Sequence, residues 1–96
     1  SAVVHAAELD AASRQKRQES KSIDERLATL THREREVLEH VIAGRLNKQI
    51  AASLGTVEKT IKVHRGRMMA KLGMRSVAEL VRLADRAGIA PARSDP

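Results

Sequence analysis

The 96-residue chain has no cysteine and no aromatic residue. Without cysteine there is neither a disulfide scaffold nor a thiolate metal site, and the composition fits a reducing cytosol. Proteins that bind single strands without sequence preference stack bases on aromatic rings, and sequence-reading RNA modules often do the same. The lack of Phe, Tyr and Trp therefore weighs against both classes. No apolar run approaches the ~18 residues of a membrane span, and no signal peptide is visible. A cytoplasmic location away from membranes is expected. The chain opens Ser1-Ala2 without Met, as a fragment of a longer protein would. At this length one small domain with a thin core is expected.

What is present is positive charge, unevenly spread. Between Gly44 and Arg75 stand Arg45, Lys48, Lys59, Lys62, Arg65, Arg67, Lys71 and Arg75, against the single acid Glu58. That window carries +7 of a chain whose net charge is +6, so the remainder is −1. A basic block beside a neutral remainder suits an anion-binding face, although a solvated lysine-rich surface is the plainer reading of any one cation.

Glycine and proline are absent before Gly44, and the residues there favour helix. A linker helix is predicted over about Ala11 to Ala28, with Ile23, Leu27 and Leu30 as its short apolar stripe. Thr31-His32-Arg33-Glu34 reads as a capping box. It opens a helix from about His32 to Ala43 with Val37, Leu38, Val41 and Ile42 inward, ended by Gly44. Asn47 is expected to cap a helix over Lys48 to Leu54, which Gly55 stops. A longer helix follows from about Glu58 to Leu72 and closes at Gly73. Ser76-Val77-Ala78-Glu79 forms a second capping box, opening a last helix to about Ala87, with Gly88 after it. The expected organisation is all-α: a helical linker over 1–29, a four-helix domain over 30–89 and a disordered tail over 90–96.

Two short helices joined by about three residues form a helix-turn-helix. The pair must cross closely, which Ala51 permits, and Gly55 tolerates the positive φ of the turn. At 100° per residue, Val57, Ile61, His64, Met68 and Leu72 fall on one side of the longer helix, and Lys59, Lys62, Val63, Gly66, Arg67 and Ala70 on the other. One face is apolar. The opposite face is basic and small, as a helix lying close to base edges requires. In the last helix Val77, Leu80, Val81, Ala84 and Ala87 fill the inward stripe. Ala78 and Leu83 are left outside it, as a small apolar patch suited to a second copy.

Several segments, in order, resemble the LuxR/FixJ-type helix-turn-helix family: Leu30-Thr31-His32-Arg33-Glu34-Arg35-Glu36-Val37-Leu38, Gly44-Arg45-Leu46-Asn47-Lys48-Gln49-Ile50-Ala51, Lys59-Thr60-Ile61-Lys62-Val63-His64-Arg65, Lys71-Leu72 and Ser76-Val77-Ala78-Glu79-Leu80-Val81. The likeness spans about residues 30–88 and is greatest to the output domains of FixJ/NarL-type response regulators. It implies a four-helix domain that regulates transcription by binding duplex DNA as a homodimer, with an upstream receiver domain and RNA polymerase as further candidate partners. It implies that Lys62, Val63 and Gly66 face base edges and that Lys48, Lys59, Thr60 and Arg67 meet phosphates. It also implies dimer contact through the last helix, where Ala78 and Leu83 lie. The chain departs from the family pattern at His32, where Pro is common, and at Val57, where Ser or Thr usually caps; Thr56 is the substitute cap. It departs again at Gly66, which offers the groove no side chain.

Other classes are weaker. His32, Glu36 and His40 recur on one helix face, but i to i+8 spans about 12 Å, too far for both histidines to share one ion. His64 reads as packed or phosphate-facing. Ser13, Ser20, Ser22 and Ser53 have no His-acid constellation beside them, and Met68-Met69 reads as core filling. No enzyme activity, metal or cofactor is expected. The alternatives left open are a protein-interaction module, the DNA-binding domain of an autoinducer-type regulator, and a sigma-factor-like promoter-binding segment.

Overall fold

The computed structural model describes residues 2–93, with side chains described from Arg14 onward apart from residue 16. Helix α1 covers Ala2–Leu27, α2 His32–Ile42, α3 Asn47–Leu54, α4 Glu58–Leu72 and α5 Val77–Ala87, and the described residues contain no strand. Residues 94–96, part of the expected tail, lie outside the described residues.

The helix ends follow local backbone chemistry. Thr31 caps α2 with both halves of the capping box: its Oγ1 accepts from the Glu34 amide at 3.1 Å, and Glu34 Oε1 accepts from the Thr31 amide at 2.9 Å. Gly55 takes φ +69 at the end of α3. The left-handed turn it permits swings the chain through Thr56 and Val57 into α4. Ser76 caps α5 by accepting from the Glu79 amide at 3.2 Å. The Glu79 carboxylate in turn accepts from the amide of Arg75, one residue before the cap, at 3.1 Å. Neither α3 nor α4 has a side-chain cap, because Leu46 and Val57 occupy those positions. Thr56 does not substitute; its amide closes the end of α3 on the Ala51 carbonyl at 2.9 Å. Val57, expected inward, is exposed, because it precedes the first turn of α4 and lies off that helix's periodicity.

The core draws Val37, Leu38 and Val41 from α2, Ile50 and Ala51 from α3, Ile61, Met68 and Leu72 from α4, and Leu80, Leu83 and Ala84 from α5. Ile89 closes it below. The apolar stripe of α1, Ile23 and Leu27, packs against this cluster together with Leu30. α1 continues back to Ala2, well beyond the predicted start at Ala11.

One expectation fails on packing. Leu83, expected outside the inward stripe of α5, is only 5% exposed. It lines the cleft between α1 and α5 with Ile23 and Met74. The linker helix gives α5 a second surface to bury, so the stripe turns toward Leu83, while Val77 and Val81 come out at 38% and 43% exposure. Ala78 is exposed as expected. In the described part of the tail the Ala92 amide donates to the Glu39 carbonyl at 2.9 Å, and Arg45 Nη2 donates to the Arg93 carbonyl at 2.6 Å.

Candidate nucleic-acid interface

Helix α4 divides as its sequence periodicity predicts. Ile61, Met68 and Leu72 are fully buried, whereas Lys59, Lys62, Val63, Gly66, Arg67 and Ala70 are exposed together on the opposite face. The predicted base readers Lys62, Val63 and Gly66 thus share one solvent face with the predicted phosphate contacts Lys59 and Arg67. Thr60 is half-buried at its edge, and Lys48 is exposed in the first turn of α3. Lys62 Nζ stands 4.0 Å from Glu58 Oε1, an exposed i,i+4 pair that screening leaves weak.

Gly66 differs from the other glycines. Gly44, Gly55, Gly73 and Gly88 all have positive φ, so the backbone accounts for them. Gly66 is helical, and a Cβ built there would meet nothing within 4 Å. Its smoothness shapes the exposed face of α4 and contributes nothing to packing.

Three cations of the basic block are engaged inside the domain. Arg45 Nη1 contacts His40 Nδ1 at 2.9 Å and donates to Ser53 Oγ at 3.2 Å. Arg65 Nη1 donates to Asn47 Oδ1 at 3.0 Å. This corrects the expected role of Asn47: it is the first residue of α3, and its side chain turns toward α4 instead of capping. Lys71 Nζ donates to Glu34 Oε1 at 2.6 Å and to the Thr29 carbonyl at 3.1 Å. The Glu34 side chain is 2% exposed. The hydrogen bond from Lys71 is the main reason its pKa lies below the ordinary carboxylate value. The Thr31 amide adds to this, burial opposes it, and the Lys71 charge contributes further.

Sequence reasoning missed the Arg65–Asn47 and Lys71–Glu34 ties because each joins residues far apart in the chain. The capping-box pattern identified Glu34 but carried no sign of Lys71. Of the remaining cations, Lys48, Lys59, Arg67 and Arg75 are exposed, and their side chains form no ion pair among the described residues. The expected His32–Glu36–His40 face is otherwise occupied: His32 Nε2 lies 3.4 Å from Glu36 Oε1, and His40 meets Arg45.

A buried crossing at Ala51, a left-handed glycine turn and an outward basic face on the second helix define a helix-turn-helix domain of the nucleic-acid-binding class. The chain belongs to the luxR family of bacterial regulatory proteins, whose family model matches residues 28–84. It is 40% identical over 88 residues to nodulation protein W of Bradyrhizobium diazoefficiens, covering 92% of this chain and 39% of that protein. It is 43% identical over 88 residues to the transcriptional regulatory protein FixJ of Azorhizobium caulinodans, covering 90% and 42%. Among solved structures, the response regulator StyR superposes with a TM-score of 0.79 at 44% identity, over 82% of this chain and 40% of that one. Full-length FixJ from B. japonicum gives 0.71 at 42% identity, over 80% and 38%. The chain spans about two fifths of the length of these curated relatives. FixJ is a transcriptional regulatory protein and StyR a response regulator, and the domain shared with them is the DNA-binding helix-turn-helix of the luxR family. No helix among the described residues is long and apolar enough to cross a membrane.

Proposed function

We propose that the chain is the output domain of a two-component response regulator and reads duplex DNA sequence-specifically, with α4 in the major groove. The observation that carries this reading is the outward face of α4, where Lys59, Lys62 and Arg67 surround Val63 and Gly66 while Ile61, Met68 and Leu72 on the opposite side are fully buried. A major groove about 12 Å wide admits such a helix, a lysine can donate to guanine O6 and N7, and a valine can meet a thymine methyl. In this reading Lys62, Val63 and Gly66 lie against base edges, and Lys48, Lys59, Thr60 and Arg67 hold phosphates. Two copies bind together through α5, using Ala78 with the exposed Val77 and Val81, since Leu83 is covered by α1. The response-regulator names of the relatives, and their greater length, support a receiver domain in the whole protein, with RNA polymerase a further partner on DNA.

The test separates base reading from backbone holding. Lys62→Ala reduces the affinity difference between a selected site and random duplex by about 1–3 kcal/mol. Lys48→Ala weakens both duplexes equally. Identical behaviour of the two variants in binding isotherms sinks the assignment of faces.

A further inference from the structure

Arg65 stands in the middle of the recognition helix and belongs by charge to the basic block, yet the fold uses it differently. It is half-buried on the flank of α4, and its Nη1 donates to Oδ1 of the half-buried Asn47 at 3.0 Å. Among the described residues this is the only side-chain hydrogen bond between α3 and α4. Asparagine is a favoured helix cap, but Asn47 forgoes that role. The start of α3 is completed instead by Gln49 Oε1, which accepts from the Leu46 amide at 2.8 Å. The first turn of α3 is thus tied to the centre of α4 at the expense of its own cap.

The neighbours of the two residues give the tie its meaning. Lys48, beside Asn47, is exposed at the start of α3; Lys62 and Val63, one turn before Arg65, are exposed on α4. A site that holds a phosphate with one helix and reads base edges with the other discriminates only if both meet the duplex at once. Positional errors of a few tenths of an ångström loosen such a match. Apart from the turn over residues 55–57 and this bond, the two helices are joined through the shared apolar core, to which α3 gives Ile50 and Ala51 and α4 gives Ile61. Apolar contact is non-directional and resists sliding poorly. A hydrogen bond with restricted distance and angle resists it better.

We propose that Asn47 and Arg65 are positioning residues for sequence discrimination: their hydrogen bond fixes α3 against α4, so that Lys48 and the Lys62–Val63 face engage one duplex in a single register. This rests on the reading of α4 as the base-reading helix. Arg65 is then a strut and not a phosphate ligand, although its charge lies in the basic block.

The experiment uses a duplex selected from a random pool by the wild-type protein and an unrelated duplex of equal length, each titrated over a salt series. Asn47→Ala and Arg65→Met each lose about tenfold on the selected duplex, as loss of a hydrogen bond to a charged group predicts, and about twofold or less on the unrelated one. The slope of log K against log salt stays at the wild-type value for both. The double variant loses no more than either single one. Asn47→Asp keeps the acceptor and therefore keeps the ratio between the duplexes, even though its charge lowers both affinities. A merely destabilised fold lowers binding to both duplexes in the same proportion, so the ratio isolates positioning; circular dichroism melts set a temperature at which every variant is folded. The proposal is overturned if Arg65→Met flattens the slope by about 0.9 with equal loss on both duplexes while Asn47→Ala behaves as wild type. It is also overturned if folded Asn47→Asp loses the ratio. Failure of the wild-type protein to bind any duplex is a separate result, and would remove the DNA-reading assignment itself.

Discussion

Breaking the Glu34–Lys71 pair from its two ends has unequal consequences, because the partners differ in burial. Glu34 is 2% exposed and Lys71 34%. Lys71→Met strands a buried carboxylate whose remaining donor, among the described residues, is the Thr31 amide. Removing one partner of a buried pair in this way costs about 3–5 kcal/mol. Glu34→Gln leaves an acceptor for Thr31 and a lysine that can turn into water, so about 1–2 kcal/mol is lost, below the full worth of a charge-assisted bond. For a domain of this size those losses lower Tm by roughly 15–25 °C and 5–10 °C. The pH dependence separates the variants further. In the wild type the Glu34 pKa is lowered by folding. Its stabilisation is therefore complete above the unfolded value of about 4.3 and is lost as the pH falls through the folded value. In Lys71→Met the largest lowering influence is gone, but the Thr31 amide still outweighs burial, so the carboxyl stays below its unfolded value by less and acidification costs the variant less stability than the wild type. Thermal melts followed by far-ultraviolet circular dichroism between about pH 6 and pH 2 show a smaller acid loss of Tm in Lys71→Met than in the wild type. Equal costs for the two substitutions, or an equal acid loss of Tm in Lys71→Met and the wild type, would refute the reasoning.

Gly66→Ala raises Tm by roughly 4–8 °C, since alanine is worth about 1 kcal/mol over glycine within a helix and the added Cβ meets open space; an unchanged melt contradicts an unstrained helix there. On a selected duplex the same variant binds less tightly if the bare backbone approaches the base edges, and unchanged affinity would assign the glycine no part in reading. Leu83→Glu replaces a nearly buried core side chain beside the cleft between α5 and α1 and costs about 3 kcal/mol, seen as a strongly lowered melt. Val81→Glu leaves the melt within a few degrees but abolishes cooperative binding to two half-sites about ten base pairs apart; retained cooperativity would move the dimer contact off α5.

The parts of this fold legible in the sequence are those decided within a few residues. Thr31 and Glu34 reveal the start of α2 because both halves of the capping box lie three residues apart, and Gly55 reveals the turn because its φ excludes most other residues. The division of α4 into buried and exposed faces was legible for the same reason, as its periodicity is local. Asn47 was misread because its true partner lies 18 residues away. Lys71, counted with the outward charge, finds its acceptor 37 residues away. Leu83 looked surplus because the helical periodicity of α5 carries no information about α1 lying across it. The candidate interface was therefore legible as a face, while the number of cations free to serve it was not.

The central claim, that the outward face of α4 and the start of α3 hold duplex DNA, is tested most directly by the salt dependence of duplex binding. Eight cations in the basic block would give a slope near −7 for each bound chain at about −0.9 per phosphate. With Arg45, Arg65 and Lys71 engaged inside the domain, Lys48, Lys59, Lys62, Arg67 and Arg75 remain. The predicted slope is between about −3 and −4.5 per chain. A slope near zero would contradict duplex binding through this face. A slope near −7 would mean that the three internal cations leave their partners for phosphate.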